Sequence, residues 1–168
     1  MHDTATRERT QAFRSTMGRL STGVSVITTR APDGPVGITV SAVASLSLEP
    51  LQLLICVSNH LFTRTAIEEH GRFGVSVLGE DGENLARRFA ASRPDKFAGV
   101  ETIDDHGVPL LKDAIARLVC DVADVLPRGD HTIFLGDVRH FEHRQDGRPL
   151  LFFAGAFHGL PGSAATAG

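Results

Sequence analysis

The stretch VSVITTRAPDGPVGITVS, residues 24–41, decides the architecture. Val24, Val26 and Thr28 alternate with Ser25, Ile27 and Thr29, a period of two that belongs to strands. Pro32-Asp33-Gly34-Pro35 then places four turn-forming residues in a row. Val36, Ile38 and Val40 resume the alternation against Gly37, Thr39 and Ser41. Two alternating runs joined by a tight turn read as an antiparallel hairpin.

Toward the N-terminus the period changes. Phe13, Met17 and Leu20 recur at i, i+4 and i+7, which predicts an amphipathic helix over residues 7–21 with Gly23 as its stop. Toward the C-terminus, a break at Glu49-Pro50 precedes LQLLICV (51–57), which reads as a buried strand. Ser58-Asn59 is placed to cap a short helix that Gly71 ends. Residues 73–78 form a further apolar run. Asp81 or Gly82 opens a helix that turns Leu85, Ala86 and Phe89 inward, and Ser92-Arg93-Pro94-Asp95 ends it. Residues 115–126 and 132–143 read as long strands around the turn Pro127-Arg128-Gly129-Asp130, with Leu118, Cys120 and Val122 on one face. Gln145-Asp146-Gly147-Arg148 turns the chain into a last strand at 149–156. Six to eight strands joined mostly by tight turns, with two or three short helices, predict a mainly β protein with antiparallel pairing, a barrel or sandwich. The expected organisation is one domain over residues 1–160 and a disordered tail over 161–168, PGSAATAG.

Composition excludes several functions. The 168 residues carry a formal charge of -3, with no basic stripe of the kind nucleic acid requires. Ten Phe stand beside no Trp and no Tyr, so no aromatic belt marks a membrane interface. No apolar run is long enough to span a bilayer, and the polar N-terminus lacks a secretory core. Cys56 and Cys120 sit in apolar runs without a CxxC pair, as buried free thiols do in a reducing compartment. A cytoplasmic protein is expected. Lys96 and Lys112 are the only lysines, and the Arg bias among the other cations suits phosphate recognition.

Several chemistries are missing. No two glycines lie two apart, so G-x-G-x-x-G is absent, as are G-K-[ST], H-E-x-x-H and G-x-S-x-G. His140 and His143 fall on opposite faces of a strand, and His70 and His106 read as loop residues, so no metal site is expected. What remains is GITVSAVASLSLEP (37–50), where small hydroxyl residues alternate with apolar ones. By period alone it is a wet strand face. It is also a wall of small side chains that a flat ring with a phosphate tail can approach. Gly129-Asp130-His131 stands at the mouth of a strand.

In order and spacing, FRSTMGRLSTGVSVITT, GITVSAVASLSLEPLQLLICV, RFGVSVLGEDGENLARRFA, DKF, GDHTIFLGDV and PLLFFAGAF cover nearly the whole chain. This set resembles the short-chain NAD(P)H:flavin oxidoreductases, the reductase components of two-component flavin monooxygenases. The resemblance implies an antiparallel Greek-key split β-barrel of the FMN-binding type, usually a homodimer with flavin near the subunit interface. It implies hydride transfer from NADH or NADPH to FMN or FAD, and delivery of reduced flavin to a partner monooxygenase. Carried over by position, the flavin-contacting strand and turn fall on Thr39, Ser41, Ala42, Ser45 and Ser47. The phosphate-side turn falls on Ser58, Asn59 and Thr63, and the D-K-F segment on Lys96 and Phe97. The G-D-H segment puts His131 at the nicotinamide, and Phe157 takes a stacking position in the last strand. Many relatives carry Asn-Ser where Ser41-Ala42 stands, and Tyr where Phe153 and Phe157 stand. A flavin- or haem-binding sensor or carrier on the same fold, without NAD(P)H turnover, is the alternative. A pyridoxamine-phosphate-oxidase-like enzyme would need a basic cluster that two lysines do not supply.

Overall fold

The computed structural model describes residues 2–160; the expected tail at 161–168 lies outside them. Helix α1 (His2–Met17) is followed by β1 (Thr22–Gly23), β2 (Ser25–Ala31), β3 (Gly34–Val40), β4 (Val43–Leu48) and β5 (Leu51–Ser58). Next come α2 (Phe62–His70), β6 (Arg72–Val77), α3 (Glu83–Ala90), β7 (Thr102–Asp105) and β8 (Val108–Leu111). The long strands β9 (Ala116–Arg128) and β10 (His131–His143) precede β11 (Leu150–Phe153) and β12 (Ala156–Gly159). All pairings are antiparallel. The main sheet has seven strands in the order β3-β2-β6-β9-β10-β5-β4; β1-β11-β12 and β7-β8 form two smaller sheets.

One short link forces closure. β3 and β4 are opposite edges of the seven-stranded sheet, yet only Ser41 and Ala42 separate them in sequence. Three Cα–Cα steps span at most about 11 Å. A flat sheet of seven strands would hold its edges about 29 Å apart. The sheet therefore curls until its edges meet, giving a barrel split along the β3–β4 seam. The expected hairpin over residues 24–41 is the β2–β3 pair, in register from Ser25↔Val40 to Ala31↔Gly34.

The curl gives β2 two covered faces, and its residues 25–29 are all buried. Ile27 joins Ile55, Phe73, Cys120 and Phe134 inside the barrel. Val24 and Val26 join Leu78, Ala86, Phe89, Leu111 and Leu150 in a second cluster beneath α3. Each fully buried side chain of this size contributes roughly 1.5–3 kcal/mol. Gly136 is required in the barrel: a Cβ there would lie 2.6 Å from the Phe73 ring and 2.8 Å from Cys120 Cβ. Both cysteines are free thiols. Burial, with Asp121 and Asp137 nearby, pushes the Cys120 thiol up to about 12, so it is no nucleophile at neutral pH.

Several local expectations need correction. The single last strand expected at 149–156 is the hairpin β11–β12, turned at Ala154 (φ 51°) and Gly155 (φ 83°). Helix α1 ends at Met17, not at residue 21, because Gly18 closes on Arg14 O (2.8 Å) while its own carbonyl accepts from Ala154 N (2.8 Å). Gly23 belongs to β1 instead of stopping the helix. Helix α2 has Leu61 at its N-cap, not Ser58 or Asn59, because Asn59 Oδ1, the atom that would cap, accepts from Thr132 Oγ1 (2.7 Å), while Asn59 N and Nδ2 donate to the β9–β10 turn at Asp130 O (2.9 Å) and Gly129 O (3.2 Å). Gly71 does end the helix, in the left-handed conformation at φ 70°. The β7–β8 hairpin has no counterpart among the elements expected from sequence. β8 is buried throughout and β7 is mostly exposed, so neither strand shows a period of two. Among the described residues no helix is long and apolar enough to cross a membrane.

Candidate functional site

A cleft of about 550 Å3 opens between β3, the start of α2 and the segment that follows α3. Its size falls in the usual range for small-molecule sites. Gly37 and Thr39 come from β3, Phe62 and Thr63 from α2, and Phe89, Arg93, Lys96 and Phe97 from α3 and its exit. Each is placed by a local reason. Thr39 Oγ1 donates to Ala86 O (2.7 Å), which ties β3 to α3. Gly37 is the close-approach residue, since a Cβ there would stand 2.9 Å from the Phe89 ring and 3.2 Å from Phe97. Phe89 and Phe97 meet edge to face at 5.0 Å.

Lys96 is a half-buried cation of the cleft. Its Nζ donates to Gly37 O (3.1 Å) and Phe89 O (2.8 Å), which leaves one proton for a further acceptor. Burial pulls its pKa below the ordinary lysine value. Arg93 is already engaged: Nε and Nη2 grip both oxygens of Asp95 at 2.6 and 2.5 Å. That grip brings the Asp95 carboxyl down to about 2. The first turn of α2 faces the cleft with no side-chain cap and no acidic residue. Uncapped amides at a helix start are suited to an anion.

A second group of residues lies where β5 meets β10. His131 is registered opposite Ser58. His131 Nδ1 is 2.8 Å from Asp130 Oδ1, and this contact holds the Asp130 carboxyl below the usual range. Asn59 Oδ1 accepts from Thr132 Oγ1 (2.7 Å), and Ser58 Oγ is 2.8 Å from His60 Nδ1. The chain from Ser58 to Thr63 joins the two groups, and Leu61 N donates to Ser58 O (3.2 Å) within it.

The structure therefore gathers Thr39, Thr63, Lys96 and Phe97 in the cleft, and Ser58, Asn59 and His131 at the strand mouth. Ser41 and Ala42 form the barrel seam, outside the cleft lining. Ser45 and Ser47 follow on β4, flanking a register shift against β5. Phe157 packs on Phe152 at 5.3 Å beneath the Arg87 guanidinium and does not line the cleft. Sequence reading missed Gly37, Phe62 and Phe89 as cleft residues. Of these, Phe89 carried a signal in its inward position on α3, and Gly37 as the first residue of the small-residue stretch 37–50.

The donor set fits a flavin. The cleft offers a glycine-floored slot, flanking hydroxyls, an aromatic edge, one spare ammonium proton and an uncapped helix start.

Comparison with known proteins agrees. Residues 17–161 match the family described as "Flavin reductase like domain". The reductase subunit HsaB of a flavin-dependent monooxygenase from Mycobacterium tuberculosis is 39% identical over 153 residues, which cover 89% of this chain and 82% of that protein. FMN reductase (NADH) SmoA of Agrobacterium fabrum is 38% identical over 151 residues, covering 89% of this chain and 86% of that protein. The NADH:FAD oxidoreductase SgcE6 of Streptomyces globisporus, solved in complex with NAD and FAD fragments, superposes with a TM-score of 0.88. It is 34% identical, over 94% of this chain and 96% of that one.

Proposed function

The chain belongs to the flavin reductase like family, and from that premise we propose that it is the NADH-dependent reductase component of a two-component flavin monooxygenase. It transfers a hydride from NADH to FMN or FAD, and the reduced flavin passes to a separate oxygenase. The observation that carries this reading is the superposition of the whole barrel on an NADH:FAD oxidoreductase solved with both cofactor fragments.

Flavin, when bound, accepts the hydride at N5, and the nicotinamide supplies it. The residues of this chain have only to bind and align. Gly37 and Phe97 set the width of the slot, and Thr39, Ser41, Ala42, Ser45 and Ser47 line the approach along the β3–β4 seam. Thr63, Lys96 and the α2 amides face the phosphate. Ser58 and Asn59 act one step back, since their side chains are turned toward His60 and the β9–β10 turn that presents His131. With Nδ1 turned to Asp130, the imidazole offers Nε2 to the nicotinamide amide or phosphate. Phe157 supports the slot from behind through the second apolar cluster. Holding two rings at reactive distance removes a large entropic barrier without acid or base groups. The missing catalytic triad is consistent with that.

The working form is a homodimer. Phe13 and Met17 on α1 and Leu20 just after it, with Leu46 and Leu48 on β4 and Leu51 at the start of β5, leave large apolar side chains in water on a single chain. Surfaces of this kind are normally covered. A cytoplasmic location fits the need for NADH and the two free thiols.

The deciding experiment follows NADH oxidation by the purified protein with FMN, FAD or riboflavin added. Turnover that depends on added flavin is expected. A bound flavin or haem that NADH leaves unreduced would instead establish the sensor or carrier. Without Trp or Tyr in the chain, near-ultraviolet absorbance beyond the weak Phe bands also reports bound cofactor.

A further inference from the structure

We propose that Asp105, His106 and His140 form a binding site for a divalent transition-metal ion of the zinc class, which fastens the β7–β8 hairpin to β10. One donor atom from each of the three residues lies within 4.8 Å of the others. Asp105 ends β7, His106 begins the turn into β8, and His140 projects from the long strand β10. The Asp105 carboxylate faces both rings. Oδ2 bonds His140 Nδ1, and Oδ1 is 3.7 Å from His106 Nε2. The two imidazoles are 5.8 Å apart, centroid to centroid.

The hairpin holds these donors ready. His106 (φ 48°) and Gly107 (φ 83°) both take the left-handed conformation. The turn is fixed at both carbonyls: Arg72 Nη1 donates to His106 O (2.6 Å) and Arg30 Nε to Gly107 O (3.1 Å). Val108 and Leu110 pack on Val119 of β9 beneath it, and the Thr28 hydroxyl donates to Pro109 O. The neighbouring cations are tied into ion pairs, with the one carboxylate of Asp121 shared by two guanidiniums. Arg30 pairs with Asp104, while Arg72 and Arg139 pair with the two oxygens of Asp121 at 2.6 and 2.5 Å.

Two imidazoles and one carboxylate select zinc, nickel or copper over magnesium or calcium. Zinc–ligand bonds of about 2.0–2.2 Å draw donors closer than they stand here. Both imidazoles are half-exposed and free to rotate into place. The ion takes the place of the Asp105–His140 hydrogen bond, the neutral imidazole ligating through Nδ1 with its ring proton on Nε2, and water completes the fourth position. None of the three residues lines the flavin cleft, so the site is independent of the reductase reading.

The test is calorimetric titration of zinc chloride into the untagged full-length protein. It compares wild type with D105N, with the H106A/H140A double variant, and with H143A as a control on the same strand. Asp105→Asn is isosteric, so loss of the fold cannot account for its effect. Saturable one-to-one binding tighter than about 1 mM, at least tenfold weaker in D105N and in the double variant but retained in H143A, is the expected result. At a hundredfold excess over Kd, zinc should raise the wild-type Tm by about 5 °C and leave the double variant unmoved. No saturable binding, or binding that survives both substitutions, overturns the proposal.

Discussion

The cleft and the strand mouth both carry candidate site residues, and they are built in opposite ways. In the cleft, the side chains of Thr39 and Lys96 are tied to backbone: Thr39 to Ala86 O, Lys96 to Gly37 O and Phe89 O. Its floor is a buried glycine under two interlocked rings. At the mouth, Ser58, His60, Asp130 and His131 bond one another on an exposed rim. A cleft of the first kind holds a shape. A rim of the second kind adjusts to a passing ligand at little cost in stability. The difference matches a reaction in which flavin takes a shaped seat in each turnover and the nicotinamide binds over it. It predicts that cleft substitutions act on stability and flavin together, and rim substitutions on NADH alone.

The largest effect should come from Phe89. It is fully buried in the second cluster and sets the orientation of Phe97. Phe89→Ala should cost about 3–5 kcal/mol in urea unfolding and abolish tight flavin binding. Lys96→Met comes next. It retains the apolar stem but strands two carbonyls, for a loss of about 1.5–3 kcal/mol. Flavin affinity should fall at least tenfold in a visible-absorbance titration. Equal stability with unchanged flavin affinity would break the view of the cleft as a fixed seat. Gly37→Ala should cost about 1–3 kcal/mol, because the new methyl displaces Phe89 or Phe97. Phe97 is the less buried ring and should yield first, so flavin affinity should drop more than stability does.

The same contrast explains what could be read from the sequence. The hairpins β2–β3 and β9–β10 were legible because each has one face on the barrel interior and tight-turn residues between its arms, whereas of β4–β5 only the buried arm β5 was read as a strand. The seam was half legible. Ser41-Ala42 was visible as part of a small-residue wall, but its role in closing the barrel depends on strand order, which no local pattern encodes. The β7–β8 hairpin was silent, because burying all four residues of β8 removes the alternation. The mouth residues could be named from the resemblance, but not their bonds. Asn59 read as a helix cap, and the β9–β10 turn claims it from 70 residues away. That turn takes both the backbone and the side-chain amide of Asn59, and Thr132 takes its oxygen, so nothing is left to cap the helix.

His131→Ala is the smallest and sharpest test. The side chain is half-exposed, and it bonds Asp130, itself in water. Its removal should change unfolding stability by no more than about 0.5 kcal/mol. It also frees the Asp130 carboxyl to return upward toward its ordinary range. That carboxyl lies below its unfolded value in the native chain, so its small contribution is present at neutral pH and fades as acid protonates it. Kinetics carry the discrimination. If His131 orients the nicotinamide, KM for NADH should rise about tenfold, kcat at saturating NADH should change less than threefold, and flavin affinity should hold. Asp130→Asn keeps a hydrogen-bonding partner for Nδ1 and should show a weaker version of the same pattern. A fall in kcat with KM unchanged would make His131 part of the chemical step. The rim would then be a fixed seat like the cleft, and the contrast between the two would fail at its most exposed residue.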